Sequence, residues 1–482
     1  MRASVGFACV LLACAARTPL PKPSLPLTPT PDASFRVHPP VVAVSEPSLP
    51  LVRATELDNG MSVIVVERRD LPIVSLELVN RDAHDGPEPG ERGLAAFTAR
   101  LLNEGTLLAN GEVLRHLRIN GALPWWWATP EATSLGITVP AAGVQQGIGL
   151  LSEVVRRPVF DAQALELAQF DMGAAIFNQV VGGSHELRDL ALTALAGPEH
   201  PPVDVPLGSG DNLVRFSAAA VRRFHEQHYA PEKAALVIVG DVDTARVFEL
   251  ARRVLGDWPA RNRSPGAPPP ALEYVKKRVP VQGLQGHEDE AYFVLALPCP
   301  GSSDPEGADA DLLGMVLANL TLSRSTRALR HDQGITYGVH ASCEGHPGYG
   351  VFWIEFGVET EQADTALTAV LAEVERLRDT PVSSSELARA KSRYLAGLAE
   401  RLGTNRGTAG LLGQFYAQGL PPDELTRLTE RVQAATAENL RTTAALFFNG
   451  RKGIAVSGSP GLLEPQLLRF GGGQWWTVRD DF

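Results

Sequence analysis

No His-x-x-Glu-His and no His-Glu-x-x-His occurs anywhere in the 482 residues. That removes the two helix-borne signatures by which zinc hydrolases are most often read. Cysteine is scarce: of four, Cys9 and Cys14 lie near the N-terminus, and Cys299 and Cys343 share no Cys-x-x-Cys spacing. A zinc–thiolate site is excluded on that pattern, and whether Cys299 and Cys343 are bonded is left open. No apolar run is long enough to cross a bilayer as a helix. The net charge of −11 is spread along the chain without a block. It argues against nucleic acid or an anionic membrane surface as the main partner. Against these absences stand an ordinary 44% hydrophobic content and 21% charged residues, the composition of a globular chain of two or more domains.

The first residues read as an export signal. Arg2 precedes the apolar run Val5–Ala13, and Leu11-Leu12-Ala13-Cys14 resembles the lipobox of bacterial lipoproteins, in which the Cys is acylated after cleavage. A plain cleaved signal peptide and a merely apolar N-terminus are the competing readings. The segment that follows, Thr18–Pro50, favours the lipoprotein. Its ten prolines cannot build a core, and they favour an extended tether of about 3.1 Å per residue. The chain therefore divides into a signal and lipobox region at 1–17, a tether at 18–50, a first domain at 51–259, a Pro-rich linker at 260–271 and a second domain at 272–482.

Periodicity supplies the elements. In the first domain, strands are expected at Met61–Glu67 and Leu71–Val79, paired as a hairpin, and at Thr133–Val139 and Ala234–Val239. Helices are expected from Gly93 to a stop at Gly105, and over Gly111–Asn120, Val144–Arg156, Asp161–Gln179, Ser184–Ala196 and Phe216–His228. In the second domain the order repeats in outline. Strands fall at Ala291–Leu297, Thr336–Cys343, Tyr349–Val358 and Gly453–Gly458. Helices fall at Glu306–Leu320, Ser323–Asp332, Gln362–Arg378, Ser383–Leu402 and Thr408–Gln418, with two more around Asp423–Phe447. His225 and His228, three apart with Glu226 between, do not have zincin spacing and read as a structural pair at a helix-to-strand junction.

Three stretches carry a resemblance. Leu57-Asp-Asn-Gly60 leads to a strand and then to Gly93-Leu-Ala-Ala-Phe-Thr-Ala-Arg-Leu-Leu-Asn-Glu-Gly-Thr106. Phe224–Asp241 runs from a helix through Tyr229-Ala-Pro-Glu to a strand ending Gly240-Asp241. Leu329-Arg330-His-Asp-Gln-Gly334-Ile-Thr-Tyr337-Gly-Val339 closes the set. Together they resemble the insulinase/pitrilysin type of zinc peptidase. In that family the first stretch reads Gly-Leu-Ala-His-Phe-Leu-Glu-His, where two His four apart hold zinc and the Glu between them polarises water. Aligned on Gly93 and Gly105-Thr106, the His positions fall on Ala96 and Arg100 and the Glu position on Ala99. The third ligand, a Glu on a later helix, falls on Ile176, with Asp171 the nearest acid. The resemblance keeps the frame and loses the site.

The resemblance implies an α+β fold of two tandem homologous halves, each an antiparallel sheet with helices packed on one face, enclosing a chamber. Arg330 and Tyr337 match the family's substrate-binding pair. A guanidinium fork and a phenol hydroxyl hold peptide carbonyls or a developing oxyanion. The bland alternative is an Arg capping a helix end and a Tyr packed at a strand start. Trp125, Trp126 and Trp127 stand on the edge strand that takes an extended peptide in relatives, as a chamber wall or as a core cluster. The expected function is a non-catalytic, substrate-binding subunit that pairs with a zinc-motif-bearing insulinase-like chain and acts on unfolded peptides. This chain itself would bind no zinc and no nucleic acid. It would meet the membrane only through an N-terminal lipid anchor, in a bacterial periplasm or outer membrane. The alternative is a stand-alone lipid-anchored peptide-binding or envelope assembly protein without proteolysis.

Overall fold

The computed structural model describes residues 49–81, 91–109, 119, 121–182, 184–198, 207–208, 210–261, 272–275 and 280–476. Cys14, all but the end of the tether, all but residue 119 of the expected helix over 111–120 and nearly all of the 260–271 linker lie outside the described residues. In chain order the first half carries β1 (Val52–Glu56), β2 (Ser62–Glu67), β3 (Ile73–Arg81), α1 (Leu94–Ala109), β4 (Leu123–Ala128) and β5 (Ala132–Pro140). It continues with α2 (Val144–Arg156), α3 (Ala162–Gly182), α4 (Ser184–Ala196), α5 (Ala218–His228), β6 (Ala234–Gly240) and α6 (Thr244–Leu255). The second half carries β7 (Val281–Gln285), β8 (Glu290–Cys299), α7 (Gly307–Leu317), β9 (Val339–His346), β10 (Tyr349–Glu359) and α8 (Ala363–Asp379). It ends with α9 (Ser384–Leu402), α10 (Asn405–Ala417), α11 (Glu424–Ala434), α12 (Ala437–Phe447), β11 (Gly453–Gly458), a short helix at Pro460–Leu467 and β12 (Gly473–Trp476). Among the described residues no helix is long and apolar enough to cross a membrane.

The α+β architecture is built twice. The first sheet runs β1-β2-β6-β3-β5-β4 and the second β12-β7-β11-β8-β10-β9, so five strands correspond in order and only the outermost, β1 and β12, differ in origin and direction. Most pairs are antiparallel; β2–β6, β7–β11 and β7–β12 are parallel. The expected hairpin of β2 with β3 does not form, because β6 lies between them, parallel to one and antiparallel to the other. β6 is buried at every residue. A strand apolar on both faces belongs at a sheet centre, and a short hop between neighbours in sequence accommodates it.

Alternation along the strands sends two sets of side chains to opposite faces. On the first sheet, Val63, Val65, Leu76 and Ile238 pack under that half's own helices. Ile64, Val66, Val237 and Val239 face the other way, and what covers them comes from the second half: Leu411, Leu412, Phe415 and Tyr416 of α10. The exchange is reciprocal. Leu187, Ala191, Leu192 and Leu195 of α4, a first-half helix, pack on Val294, Ala296, Val351 and Trp353 of the second sheet. Each half thus lends one helix to the other's sheet.

Glycines set how closely these helices lie. A Cβ on Gly413 of α10 would come within 2.9 Å of Val79 and 3.2 Å of Glu77 on β3, and one on Gly453 of β11 would run into the Ala191 carbonyl of α4. Polar contacts fix the junction of α9 and α10: Arg68 donates to the Leu402 carbonyl at 2.6 Å and Asn405 to the Ile73 carbonyl at 3.1 Å.

The corresponding hairpin turns, β4–β5 and β9–β10, meet. His346 Nδ1 lies 2.5 Å from Glu131 Oε1, both side chains being nearly buried, and the imidazole stacks on Tyr349 at 4.8 Å. Gln418, just past α10, donates to the Gly345 carbonyl at 3.2 Å. Nearby, Cys299 and Cys343 form a disulfide between β8 and β9 with Cα atoms 6.1 Å apart. Gly350 of β10 leaves room for the Cys299–Pro300 backbone to pass.

Two outcomes follow for stability. Gly453→Ala should cost about 1–3 kcal/mol or more by forcing α4 off its sheet, measured by urea unfolding. The Glu131 carboxyl is pushed up by burial, but the hydrogen bond and charge of His346 outweigh this and hold it below its ordinary 4.5. Its stabilising contribution is complete above that value and is lost as pH falls through the lower folded-state value. The gap in melting temperature between wild type and Glu131→Gln should therefore close progressively as pH falls below about 4.5. A gap that does not change with pH would remove the pair as a stabilising contact.

Candidate functional site

The helix expected to end at Gly105 continues to Ala109, since a single glycine within an apolar helix costs only about 1 kcal/mol and packing overrides it. Ala96 and Ala99 of α1 are fully buried, and Ile176 of α3 is buried in the same core cluster as Ala96. Arg100, its side chain only 12% exposed, reaches across to Asp171 of α3 and forms an ion pair. The four positions aligned with the zinc motif thus lie on two helices packed together and carry methyl groups, an aliphatic chain and a guanidinium. None of these ligates zinc, so the residues present do not fit the ion. Among the described residues no group of three His, Cys, Asp or Glu is arranged to hold a metal. Asp171, the acid nearest to Ile176 in sequence, is engaged by Arg100.

Arg330 and Tyr337 flank the opening turn of β9. Residues 327–331 form a π-helical turn, a form frequent at functional sites. Gly334 takes the left-handed conformation at φ 72°, and the Ile335 amide returns to the Leu329 carbonyl at 2.9 Å. Thr336 Oγ1 then donates to the Gly357 carbonyl at 2.7 Å. One turn earlier, Arg324 grips Glu386 of α9 through two bonds of 2.7 and 3.1 Å. Those bonds hold the Glu386 carboxyl down to about 2. The segment is pinned at both ends, yet Arg330 is exposed and Tyr337 is 93% exposed. The strand begins at Val339 rather than Thr336, so Tyr337 does not pack at a strand start.

β4 is the edge strand of the first sheet. Trp125 is buried, Trp126 and Trp127 half-buried. Alternation splits them: Trp126 packs toward the first half's own helices, and Trp127 toward α10. Trp127 Nε1 donates to Glu77 Oε1 at 2.6 Å, and Ser134 donates to the same oxygen at 2.7 Å. Glu77 is fully buried, and burial pushes its carboxyl up despite these bonds and the nearby Arg406. The Arg406 guanidinium sits 4.8 Å over the Trp125 ring. All three tryptophans, with Arg401, Arg406 and Gln414, line a cavity of about 380 Å³.

The counterpart on the second sheet is built from similar parts. Arg188 of α4 sits 4.9 Å over Trp353, and bonds Glu344 at 3.1 Å and Glu355 at 2.7 Å. Trp353 Nε1 donates to Glu344 and Tyr292 to Glu355. His225 is structural: it bonds the Val155 carbonyl at 2.9 Å and burial lowers its pKa to about 4. His228 stacks on Phe224 at 4.4 Å. The sequence reading missed Arg401, Arg406, Arg188 and Glu77. The one local signal for Glu77 was an acid inside the otherwise apolar alternation of β3.

Residues 215–394 match the family model described as the Peptidase M16 inactive domain. The chain is 23% identical over 260 residues to an uncharacterized zinc protease of Streptomyces coelicolor, a match covering 52% of this chain and about half, 56%, of that relative. It is 23% identical over 459 residues to the mitochondrial cytochrome b-c1 complex subunit 1 of Caenorhabditis elegans, covering 89% and 93%. Its fold matches the crystal structure of a peptidase M16 inactive domain from Pseudomonas fluorescens at a TM-score of 0.72 and 24% identity, covering 85% of this chain and 98% of that one.

The Arg100–Asp171 pair now ties α1 to α3. Arg100→Ala should lower stability by about 1–3 kcal/mol, and Asp171→Asn by less, since Asp171 is half exposed. Chemical denaturation of the two variants checks this ordering.

Proposed function

We propose that this chain, whose residues 215–394 match the Peptidase M16 inactive domain, is the non-catalytic subunit of a two-chain, insulinase-like zinc peptidase acting on unfolded peptides. The observation that carries this reading is the asymmetry between its two motif sites. The zinc-motif positions are filled by Ala96, Ala99, the ion-paired Arg100 and Ile176. Arg330 and Tyr337 are held on a pinned turn with their side chains exposed. A large phenol left 93% exposed buries almost none of its ring within this chain. It suits a surface completed by another molecule.

In the assembly the partner's zinc would polarise water, a chemistry this chain does not supply. The donors of Arg330 and Tyr337 would hold the substrate backbone and stabilise the oxyanion formed at the scissile carbonyl. The similarity to a protein named as a complex subunit supports a role within a larger assembly. We further propose export and lipid anchoring at Cys14 in a bacterial periplasm or outer membrane. The Cys299–Cys343 disulfide supports an oxidising compartment. A second reading, a stand-alone anchored peptide binder, is favoured by the tryptophan-lined cavity of this chain alone.

The test is zinc content and cleavage of a quenched unstructured peptide, measured on the lone chain and on the chain co-purified with a zinc-motif relative. The lone chain should be zinc-free and inert and the pair active. Arg330→Ala or Tyr337→Phe should lower the pair's kcat by about 10²-fold or more, the scale for one oxyanion donor, without releasing the partner's zinc. A lone chain that holds stoichiometric zinc and cleaves would overturn the subunit reading.

A further inference from the structure

We infer that the cavity between β4 and the α9–α10 junction is a carboxylate-binding pocket for an extended peptide laid along the edge of the first sheet. This rests on the reading of the chain as a peptide-binding protein and adds what that peptide must carry.

Three observations meet there. First, β4 pairs with β5 on one side, and among the described residues no strand pairs with its other side. An edge strand offers a row of backbone donors and acceptors that an extended segment can complete. Second, the cavity beside it is lined by Trp125 and Trp127, and its volume of about 380 Å³ lies at the small-ligand scale. Flat rings give apolar area at low entropic cost to whatever side chain enters. Third, the rim carries Arg401 and Arg406, both exposed. Arg401 donates to Gln414 Oε1 at 2.8 Å, and Arg406 rests on Trp125. Among the described residues neither forms an ion pair with a carboxylate. Glu77, whose charge Arg406 feels, bonds Trp127 and Ser134 instead.

The fold supplies its own control. On the second sheet the corresponding lent helix places Arg188 over Trp353, and there two carboxylates, Glu344 and Glu355, answer the guanidinium. The same Arg-over-Trp device is closed within the chain on one sheet and left open on the other. An open pair of guanidinium groups beside an edge strand matches a carboxylate in charge and in bidentate geometry. The carboxylate is either the free C-terminus of the bound segment or an Asp or Glu side chain within it.

Fluorescence anisotropy on the full chain alone separates the outcomes, using one labelled unstructured decapeptide in three forms: free C-terminal acid, C-terminal amide, and amide with one internal Asp. At least one carboxylate form should bind about tenfold tighter than the neutral amide, as expected when a charge-assisted bond is added. The double variant Arg401→Gln/Arg406→Gln should erase that preference, with an unchanged circular dichroism spectrum showing that it still folds. Preference for the free acid identifies the terminus as the source, and preference for the Asp peptide identifies the side chain. Equal binding of all three forms, or a preference that survives the double variant, overturns the carboxylate pocket while leaving peptide binding intact. Binding of none of them overturns peptide binding by this chain as well.

Discussion

Each sheet of this protein has a second apolar face that its own half cannot cover. A sheet buried on one face by its own helices would leave Ile64, Val66, Val237 and Val239 in water on the other. Removing such a contiguous apolar surface from solvent is the dominant favourable term available to the chain. The reciprocal loan of α4 and α10 removes both surfaces. The close approach at Gly413 and Gly453, the cross-half bonds of Arg68 and Asn405, and the buried polar groups under each lent helix follow from that constraint. The cavity beside β4 exists because α9 and α10 are carried over to the first sheet.

The lent helices also explain where charge is buried. Glu77 is buried, and Glu344, Glu355 and Arg188 partly buried, between a sheet and the helix that crosses to it, while the exposed Arg406 rests on Trp125 at the rim. Buried polar groups that are bonded on one side specify a single docking position, because any slip leaves them unpaired. Cation–π seats for both arginines do the same with an aromatic floor.

Much of the local structure was legible in the sequence. Val144–Arg156, Ser184–Ala196 and Gly453–Gly458 occur with the bounds that periodicity predicts. Ala96, Ala99, Arg100 and Ile176, which the alignment singles out, lie on two helices packed together. What was not legible depends on contacts far apart in sequence. The insertion of β6 between β2 and β3 cannot be read from either strand. The lent helices look like any amphipathic helix until their partner sheet is known. β1 and β12 are short strands whose membership is decided by the sheet edge they complete, and β7 is a short strand held between β11 and β12. Tyr337 reads alike in sequence whether it is packed or exposed, and its 93% exposure comes from the pinned turn before it.

The exchange of helices also orders events during synthesis. All the strands of the first sheet are complete by residue 240, but the face lined by Ile64 and Val237 stays bare until residues 405–417 have been made. The first half therefore leaves the ribosome as a partly finished domain with an adhesive surface, and its last layer arrives only with α10. Such long-range closure is slow and leaves the intermediate prone to association. A truncation before α10 would leave that surface open, and the chain acquires its native solubility late, as one cooperative unit rather than as two domains folded in turn.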